Sequence, residues 1–153
     1  MANIPTSRTY INKIVSLIGE ITFDGQLLSS YTPAIVIDYE ASEVTTPNTQ
    51  VNISQLNQTI EFLENGQSNL VHNMRITIYT NFNTSVKTAQ DNSDYLVEYI
   101  VKKLVLNGSD PAWVSGQLDV NTFQDGGRTQ EDNSSYYIRD VAFQIVERIP
   151  IDA

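Results

Sequence analysis

The stretch that decides the fold is residues 91–106, DNSDYLVEYIVKKLVL. Leu96, Ile100 and Leu104 recur at four-residue spacing with valines beside them, which is the pattern of a helix with one broad apolar face. Such a helix gains most of its stability from burying that face, so we expect a sheet to pack against it. Asn107-Gly108 supplies a left-handed stop after the last turn.

The ends and the polar face of this predicted helix agree with its apolar pattern. Asp91 or Ser93 can accept hydrogen bonds from the free amides of the first turn, and two lysines lie near the negative C-terminal end. Glu98 precedes Lys102 by four residues, a spacing at which an acid and a base stabilise a helix surface. These features predict a fold element and say nothing about function.

A second amphipathic helix is predicted over residues 8–19, RTYINKIVSLIG. Counting from Ile11, apolar residues fall at positions i, i+3, i+4 and i+7, which places them on one face. Thr6 and Ser7 precede the segment, and Gly19 stands where a helix commonly has its left-handed terminal glycine. We expect this helix to pack on the same face of the sheet as the longer one.

The segment after the first helix changes to the two-residue period of β-strands. Asp24-Gly25 is a two-residue turn signal. Residues 34–41, AIVIDYEA, predict a strand with one face more polar than the other. Residues 42–57 are mostly polar and predict a loop with a short strand near Val51.

Residues 59–80 predict a long β-hairpin. Its tip is Glu64-Asn65-Gly66-Gln67, because asparagine and glycine both tolerate positive φ. In the return arm Met74, Ile76 and Ile78 alternate with polar residues, so one face of this arm is expected in the core.

The chain after the long helix predicts two more strands. The first covers residues 113–123 with a bulge at Gly116, and a polar loop follows at residues 124–135. Residues 136–149 are partly apolar on both faces, which indicates a central strand. Residues 1–153 are then one α+β domain, with a mainly antiparallel sheet and two amphipathic helices packed on one face.

The composition limits the possible functions. A chain of 153 residues with 41% hydrophobic content can bury one core and is too short for two ordinary domains. Nine lysines and arginines against eighteen acids give a formal net charge of -9, which argues against a surface for nucleic-acid phosphates. The absence of cysteine excludes disulfides and thiol chemistry. We find no signal peptide or membrane-spanning stretch, and therefore expect a soluble protein made in the cytoplasm.

Candidate catalytic residues are few. His72 is the single histidine, and no carboxylate stands near it in a recognisable motif, so we interpret it as structural. The sequence has no Gly-X-Ser-X-Gly elbow, dinucleotide fingerprint or phosphate loop. Residues 119–125 alternate like a calcium loop, but Phe123 occupies a ligand position and no helix precedes them. We therefore predict no enzyme activity, no cofactor and no metal.

Aromatic residues are the candidates for a binding surface. Tyr95 and Tyr99 lie four residues apart beside the apolar stripe of the long helix, where they could cover a neighbouring subunit or shield the rim of the core. Trp113 lies in a predicted strand, where a single tryptophan is most often packed in a core or an interface. The sequence leaves these alternatives open.

The order of elements resembles the tail terminator or tail completion proteins of tailed bacteriophages. The resemblance is carried by an N-terminal helix, the strand Pro33-Ala34-Ile35-Val36-Ile37, a hairpin containing Arg75-Ile76-Thr77-Ile78-Tyr79, an aspartate-capped helix and a long final strand. It covers most of the chain as an order of elements and includes no diagnostic motif. The extended polar region between Glu40 and Gln58 departs from it.

This resemblance implies a structural subunit of the virion, located in the tail or neck, without catalytic residues or cofactors. It implies a homo-oligomeric ring, usually a hexamer, that caps the tail tube and docks to the head connector. An acidic subunit suits a pore through which DNA passes without specific binding, because like charge disfavours phosphate contacts. The candidate contacts with subunits or the tube are Glu61, Glu64, Asn65, Gly66, Gln67, Tyr95, Tyr99, Asp125 and Arg128.

Two other functions stay open. One is another neck or head-tail connector protein, which belongs to the same structural class. The other is an acidic, β-rich module that binds a protein or carbohydrate through its polar loops and aromatic residues. A ring protein should oligomerise, whereas a binding module should stay small and bind a ligand.

Overall fold

The computed structural model describes residues 7–31, 35–38, 49–63, 66, 68–81, 85–107, 116–119, 128–131 and 135–149. Within these residues two α-helices and eight strands follow one another in the chain. They are α1 (Ser7–Gly19), β1 (Thr22–Phe23), β2 (Gln26–Leu27), β3 (Val36–Ile37), β4 (Thr49–Phe62), β5 (Ser68–Asn81), α2 (Val86–Leu106), β6 (Gly116–Asp119), β7 (Arg128–Glu131) and β8 (Ser135–Ile149).

The main sheet has the strand order β3-β4-β5-β8-β6, and β7 pairs with β8 beside this path. All its pairings are antiparallel except that of β3 with β4. β1 and β2 form a separate small hairpin, with Asp24 and Gly25 at φ 51° and 74° in the turn. The sequence prediction of an α+β fold with a mainly antiparallel sheet is confirmed.

One face of the main sheet carries the core. Val51 and Ile53 of β4 pair with Ile78 and Ile76 of β5, and Ile76 pairs in turn with Val141 of β8. Paired residues on neighbouring strands share a face, so these apolar side chains form one surface. The helix residues buried in the same cluster are Tyr10, Ile11, Ile14, Leu17 and Ile18 of α1 and Leu96, Val97, Ile100 and Leu104 of α2.

α2 begins earlier than the sequence predicted. Ser85 is its N-cap and its hydroxyl oxygen accepts from the N–H of Thr88 at 3.3 Å, whereas Asp91 and Ser93 lie inside the helix. The first turns are polar at the surface but bury Ala89, which is 1% exposed, and this burial extends the helix backwards. The predicted left-handed stop falls partly outside the described residues, and Asn107 itself has φ -102°.

Gly19 is not the left-handed terminal residue that the sequence predicted. It belongs to α1, and the positive φ values of the described glycines are those of Gly25 and Gly66. A Cβ atom on Gly19 would stand 3.1 Å from the Cβ of Ser29. The absence of a side chain therefore serves the close approach of the short 3-10 turn at Leu28–Ser30.

β4 is longer than predicted, because it runs without interruption from Thr49 to Phe62 and includes most of the expected loop. Val51 and Ile53 are fully buried, and the polar residues that alternate with them face the other side of the sheet. Gln50 and Asn52 are buried there and joined by a hydrogen bond of 2.8 Å. The polar residues on this face are the reason why the sequence predicted a loop here.

The β4–β5 hairpin confirms one prediction and corrects its extent. Pairing runs from Thr49 and Thr80 to Phe62 and Ser68, so the hairpin is longer at its base than residues 59–80, and the predicted tip at residues 64–67 lies within the connection 63–67. Gly66 has φ 71°, as a turn glycine should.

The C-terminal strands differ from the prediction in two places. Gly116 pairs in regular register with Glu147, so the predicted bulge there is wrong. Within the predicted loop 124–135, residues 128–131 form β7. The central position predicted for β8 is confirmed, because β5 lies on one side of it and β6 and β7 on the other. Trp113 lies outside the described residues.

Candidate functional site

The predicted contact residues do not form one cluster in the described part of the chain. Glu61 is exposed on β4, Gly66 is exposed in the hairpin connection, and Arg128 begins β7. Tyr95 and Tyr99 lie on α2 and not on the hairpin strands β4 and β5. The remaining predicted contacts fall outside the described residues, and these are Glu64, Asn65, Gln67 and Asp125.

The tyrosine pair of α2 shields the rim of the core. The Tyr95 hydroxyl donates to the carbonyl oxygen of Thr22 at 2.8 Å, and its ring lies 6.0 Å from that of Phe23. Tyr99 stacks on Tyr95 at 4.3 Å, with the Lys102 ammonium 5.9 Å from its ring centre. Tyr95 therefore fixes the β1–β2 hairpin, and contact with a neighbouring subunit stays a prediction.

The far end of the main sheet exposes apolar side chains on the side of the helices. There Ile60 pairs with Leu70 of β5, Leu70 with Glu147 of β8, and Glu147 with Gly116 of β6. Four strands thus lie side by side at this level. Ile60 is 56% exposed and Phe62 is 81% exposed, which is unusual for apolar residues on the core side of a sheet. The sheet here extends beyond the packed helices.

The backbone of β4 is also open at this point. Val51 donates its N–H to the carbonyl oxygen of Ile35 at 2.7 Å, so its backbone groups point towards β3. This direction alternates along a strand, and a register shift between Gln55 and Asn57 displaces the alternation by one residue.

Beyond that bulge, Ile60 and Phe62 therefore aim their N–H and C=O groups away from β5. β3 pairs only with Val51 and Asn52, so no strand among the described residues covers the edge of β4 at Ile60 and Phe62. Exposed apolar side chains and an open backbone edge coincide at these two residues. An edge of this kind is a template for another strand.

A polar cluster around the buried His72 lies beside this row and includes Glu147 of the row itself. His72 Nδ1 is 3.0 Å from Gln58 Nε2, and His72 Nε2 is 3.1 Å from Glu147 Oε2. With the Gln58 amide donating to Nδ1, the ring proton lies on Nε2 and is donated to the carboxylate. Tyr10 of α1 covers the imidazole, with ring centres 5.2 Å apart.

Tyr10 is held by the same carboxylate. Burial raises the pKa of Tyr10 to about 12, and the charge of Glu147 and the hydrogen bond to it raise the pKa in the same direction. Tyr10 and His72 are each 1% exposed, so neither presents a free face to a ligand. The cluster joins α1 to β4, β5 and β8, and it is a structural clamp at the end of the core.

The burial of His72 agrees with its interpretation as a structural residue, but its carboxylate partner was missed. Glu147 is 75 residues away, and only the pairing of β5 with β8 brings the two together. One signal was present: Val141, Phe143 and Ile145 define the core face of β8, and Glu147 continues their alternation. A carboxylate on the apolar face of a central strand requires buried partners.

Two other kinds of site find no support among the residues that the structure describes. No group of three or more histidine, aspartate or glutamate side chains there is arranged to hold a metal ion. Neither described helix combines the length and apolarity that crossing a membrane requires.

The described residues define an α+β fold with a buried core and a sheet edge that is open at Ile60 and Phe62. No known protein-family model matches the chain, and a search of curated proteins finds no match. The function is therefore argued from the open edge and from the resemblance in element order.

Proposed function

We propose that the chain is a structural subunit of a phage tail or neck that assembles with copies of itself into a ring. In the arrangement implied by the resemblance, the ring stands at the head-proximal end of the tail, caps the tail tube and joins it to the head connector. Its action is association and docking, without a chemical step.

The observation that supports self-assembly is the far end of the main sheet. Ile60 and Phe62 expose apolar side chains there, although Val51 and Ile53, further along the same face of β4, are fully buried. The described part of β4 around them, residues 54–62, contains a single charged residue, Glu61. Copies of a chain with a net charge of -9 repel one another. This repulsion is smallest when they contact through a weakly charged, apolar surface such as this one.

The charge also supports the proposed position around DNA. Eighteen acids against nine bases give the phosphate backbone few partners, so DNA could slide through a pore of this protein without being retained. The tail tube and the head connector are proposed neighbours on the strength of the resemblance alone.

The test is the mass of the protein in solution, measured by light scattering over a range of concentrations and supported by negative-stain images. We expect rings, of six copies if the resemblance holds, or rings that form when tail tubes are added. A protein that stays monomeric at all concentrations and does not bind tail tubes would contradict the proposal and favour the binding module.

A matched pair of variants asks which surface is used. Phe62 and Leu106 are 81% and 82% exposed, one on the hairpin and one at the end of α2. Phe62→Gln and Leu106→Gln therefore remove similar exposed apolar area from different places. We expect Phe62→Gln to weaken assembly and Leu106→Gln to leave it unchanged, with both proteins folded by circular dichroism. The reverse result would move the interface to α2.

A further inference from the structure

The main sheet has a second edge at the same level as the open part of β4. Val51 aims its backbone groups towards β3, so its partner Ile78 aims towards β8, and the alternation continues from Arg139 along β8. Val146 and Gln144 therefore aim towards β6, where they pair with Gln117 and Asp119. Gly116 and Leu118 then aim their N–H and C=O groups to the other side. Within the described ranges no strand pairs with that side of β6.

The two open edges lie at the same position along the strands. Ile60, Leu70, Glu147 and Gly116 form one row across β4, β5, β8 and β6. Both edges of this four-stranded part therefore end at the same level, one at Ile60 and the other at Gly116. The strand directions alternate along the row, so the β6 edge of one copy and the β4 edge of another meet in antiparallel orientation.

We infer that β6 of one copy pairs with β4 of the next, which makes the sheet continuous from subunit to subunit. This inference rests on the self-assembly proposed above and assigns its interface. The contact is heterologous, because it uses two different edges of the same chain. Heterologous contacts generate closed rings when the rotation between copies closes. Contact between two β4 edges would instead give a two-fold dimer.

The polar side of the sheet fixes the register. Asn73 donates to the Asn57 side-chain oxygen and Gln144 donates to Asn73 Oδ1 at 3.0 Å, which gives a chain of amides across three strands. On β6, Asp119 is the register partner of Gln144. If the register continues level into the next copy, position 119 pairs with Asn57 of that copy.

This register is also favourable for charge. In this register the one acid of β6, at position 119, pairs with an asparagine position, so no acid is placed opposite another acid. On the side of the helices, Gly116 stands opposite Ile60, so the glycine leaves room for the exposed isoleucine. A second copy of this chain is therefore a fitting occupant of the β4 edge in backbone pairing, shape and charge.

Engineered disulfides test the pairing directly, because the chain contains no cysteine of its own. The level register places Gln117 opposite Thr59 of the next copy, in a non-hydrogen-bonded pair with Cα atoms about 4.5 Å apart, which suits a disulfide. Within one copy the same positions are separated by three strand spacings, about 14 Å, which is too far for a disulfide.

The variant Thr59→Cys with Gln117→Cys should give, on oxidation, a ladder of covalent oligomers beyond the dimer on a denaturing gel. Each single variant should give no ladder. A covalent dimer from Thr59→Cys alone would show that two β4 edges pair, and it would overturn the inference. Cross-linking of Gln117→Cys with Glu61→Cys, in place of Thr59→Cys, would overturn the stated register.

Light scattering of the unmodified protein separates this inference from the proposed function. If the protein forms rings but the double variant Thr59→Cys with Gln117→Cys does not cross-link, the β6–β4 contact is overturned and the proposed ring assembly stands. A monomer would overturn both.

Two further variants distinguish backbone pairing from side-chain contact. Ile60→Pro removes an N–H that faces away from β5, so the hairpin is retained, whereas Ile60→Thr keeps the N–H and a β-branched side chain. We expect Ile60→Pro to raise the concentration needed for assembly about tenfold over Ile60→Thr. Equal effects of the two variants would overturn strand pairing at this edge.

Discussion

Replacing Tyr10 with phenylalanine tests the clamp at the end of the core. Tyr10 is 1% exposed and its hydroxyl donates to the carboxylate of Glu147. The variant keeps the ring, and therefore the contact with His72, and removes only this donor. A hydrogen bond to a charged acceptor contributes about 1.5–3 kcal/mol, so we expect the free energy of unfolding to fall by about that amount near neutral pH.

The pH dependence gives a sharper result. The pKa of Tyr10 rises from 10.0 to about 12 on folding, so its stabilising contribution is complete below pH 10 and is lost as the pH rises towards 12. Between about pH 9 and pH 11 the contribution of Tyr10 to the free energy of unfolding falls by about 1.3 kcal/mol, which is equivalent to about one pKa unit. The phenylalanine variant has no such group. The stability gap between the two proteins should therefore narrow by about that amount over this interval.

The assay is urea unfolding followed by circular dichroism at several values of pH, with the two proteins measured side by side. Taking the difference cancels the titration of all other groups. Tyr99→Phe is the control, because it removes a phenol hydroxyl from a half-exposed tyrosine that stacks on Tyr95. A gap that stays constant from about pH 9 to pH 11 would show that the Tyr10 hydroxyl is not buried against Glu147.

Two further predictions concern the core and the hairpin. Ile100→Ala should reduce the free energy of unfolding by about 2–5 kcal/mol, because Ile100 is 0% exposed in the shared core, and a cost near zero in urea melts would contradict that packing. Replacing Asn65-Gly66 with Val-Val should leave the helices intact but weaken assembly measured by light scattering, because Gly66 has φ 71° and valine resists that conformation. Unchanged assembly of the folded variant would show that the hairpin connection is not needed.

The sequence predicted best where one face of an element is apolar and the other is polar. α1, α2 and β5 each present one regular apolar face to the core, and the periodicity located all three. The ends of α2 were harder, because Ser85 caps a first turn whose burial depends on the small side chain of Ala89. A cap is recognised from sequence only when the apolar pattern begins beside it.

β4 was misjudged because strand formation there depends on its neighbours. Its polar residues on the outer face resemble those of a loop, yet Asn57 and Asn73 bond to each other across the strands and the pairing with β5 satisfies the backbone. The parallel pairing of β3 with β4 likewise has no local signal. Strand preference depends on cross-strand partners, which a single sequence does not display.

The candidate site was predictable only in part. The hairpin was located from its apolar alternation and its Asn-Gly tip, and Glu61 was named as a contact beside Ile60 and Phe62. The two apolar residues themselves were not named, because alternation predicts a buried face and cannot show where the helices stop covering it. Exposure of that face is a property of the whole fold.

The bulge between Gln55 and Asn57 determines which side of the outer hairpin arm faces the helices. If pairing continued regularly from Gln55, with Leu56 taking a partner, the two sides of the arm would be exchanged: Glu61 would turn towards the helices and Ile60 towards the polar side. His72 would then face Asn57 in place of Gln58. Deleting Leu56 would instead remove the bulge and keep the pairing of the outer arm with β5, so a deletion there should be milder than a deletion between Asn57 and Phe62.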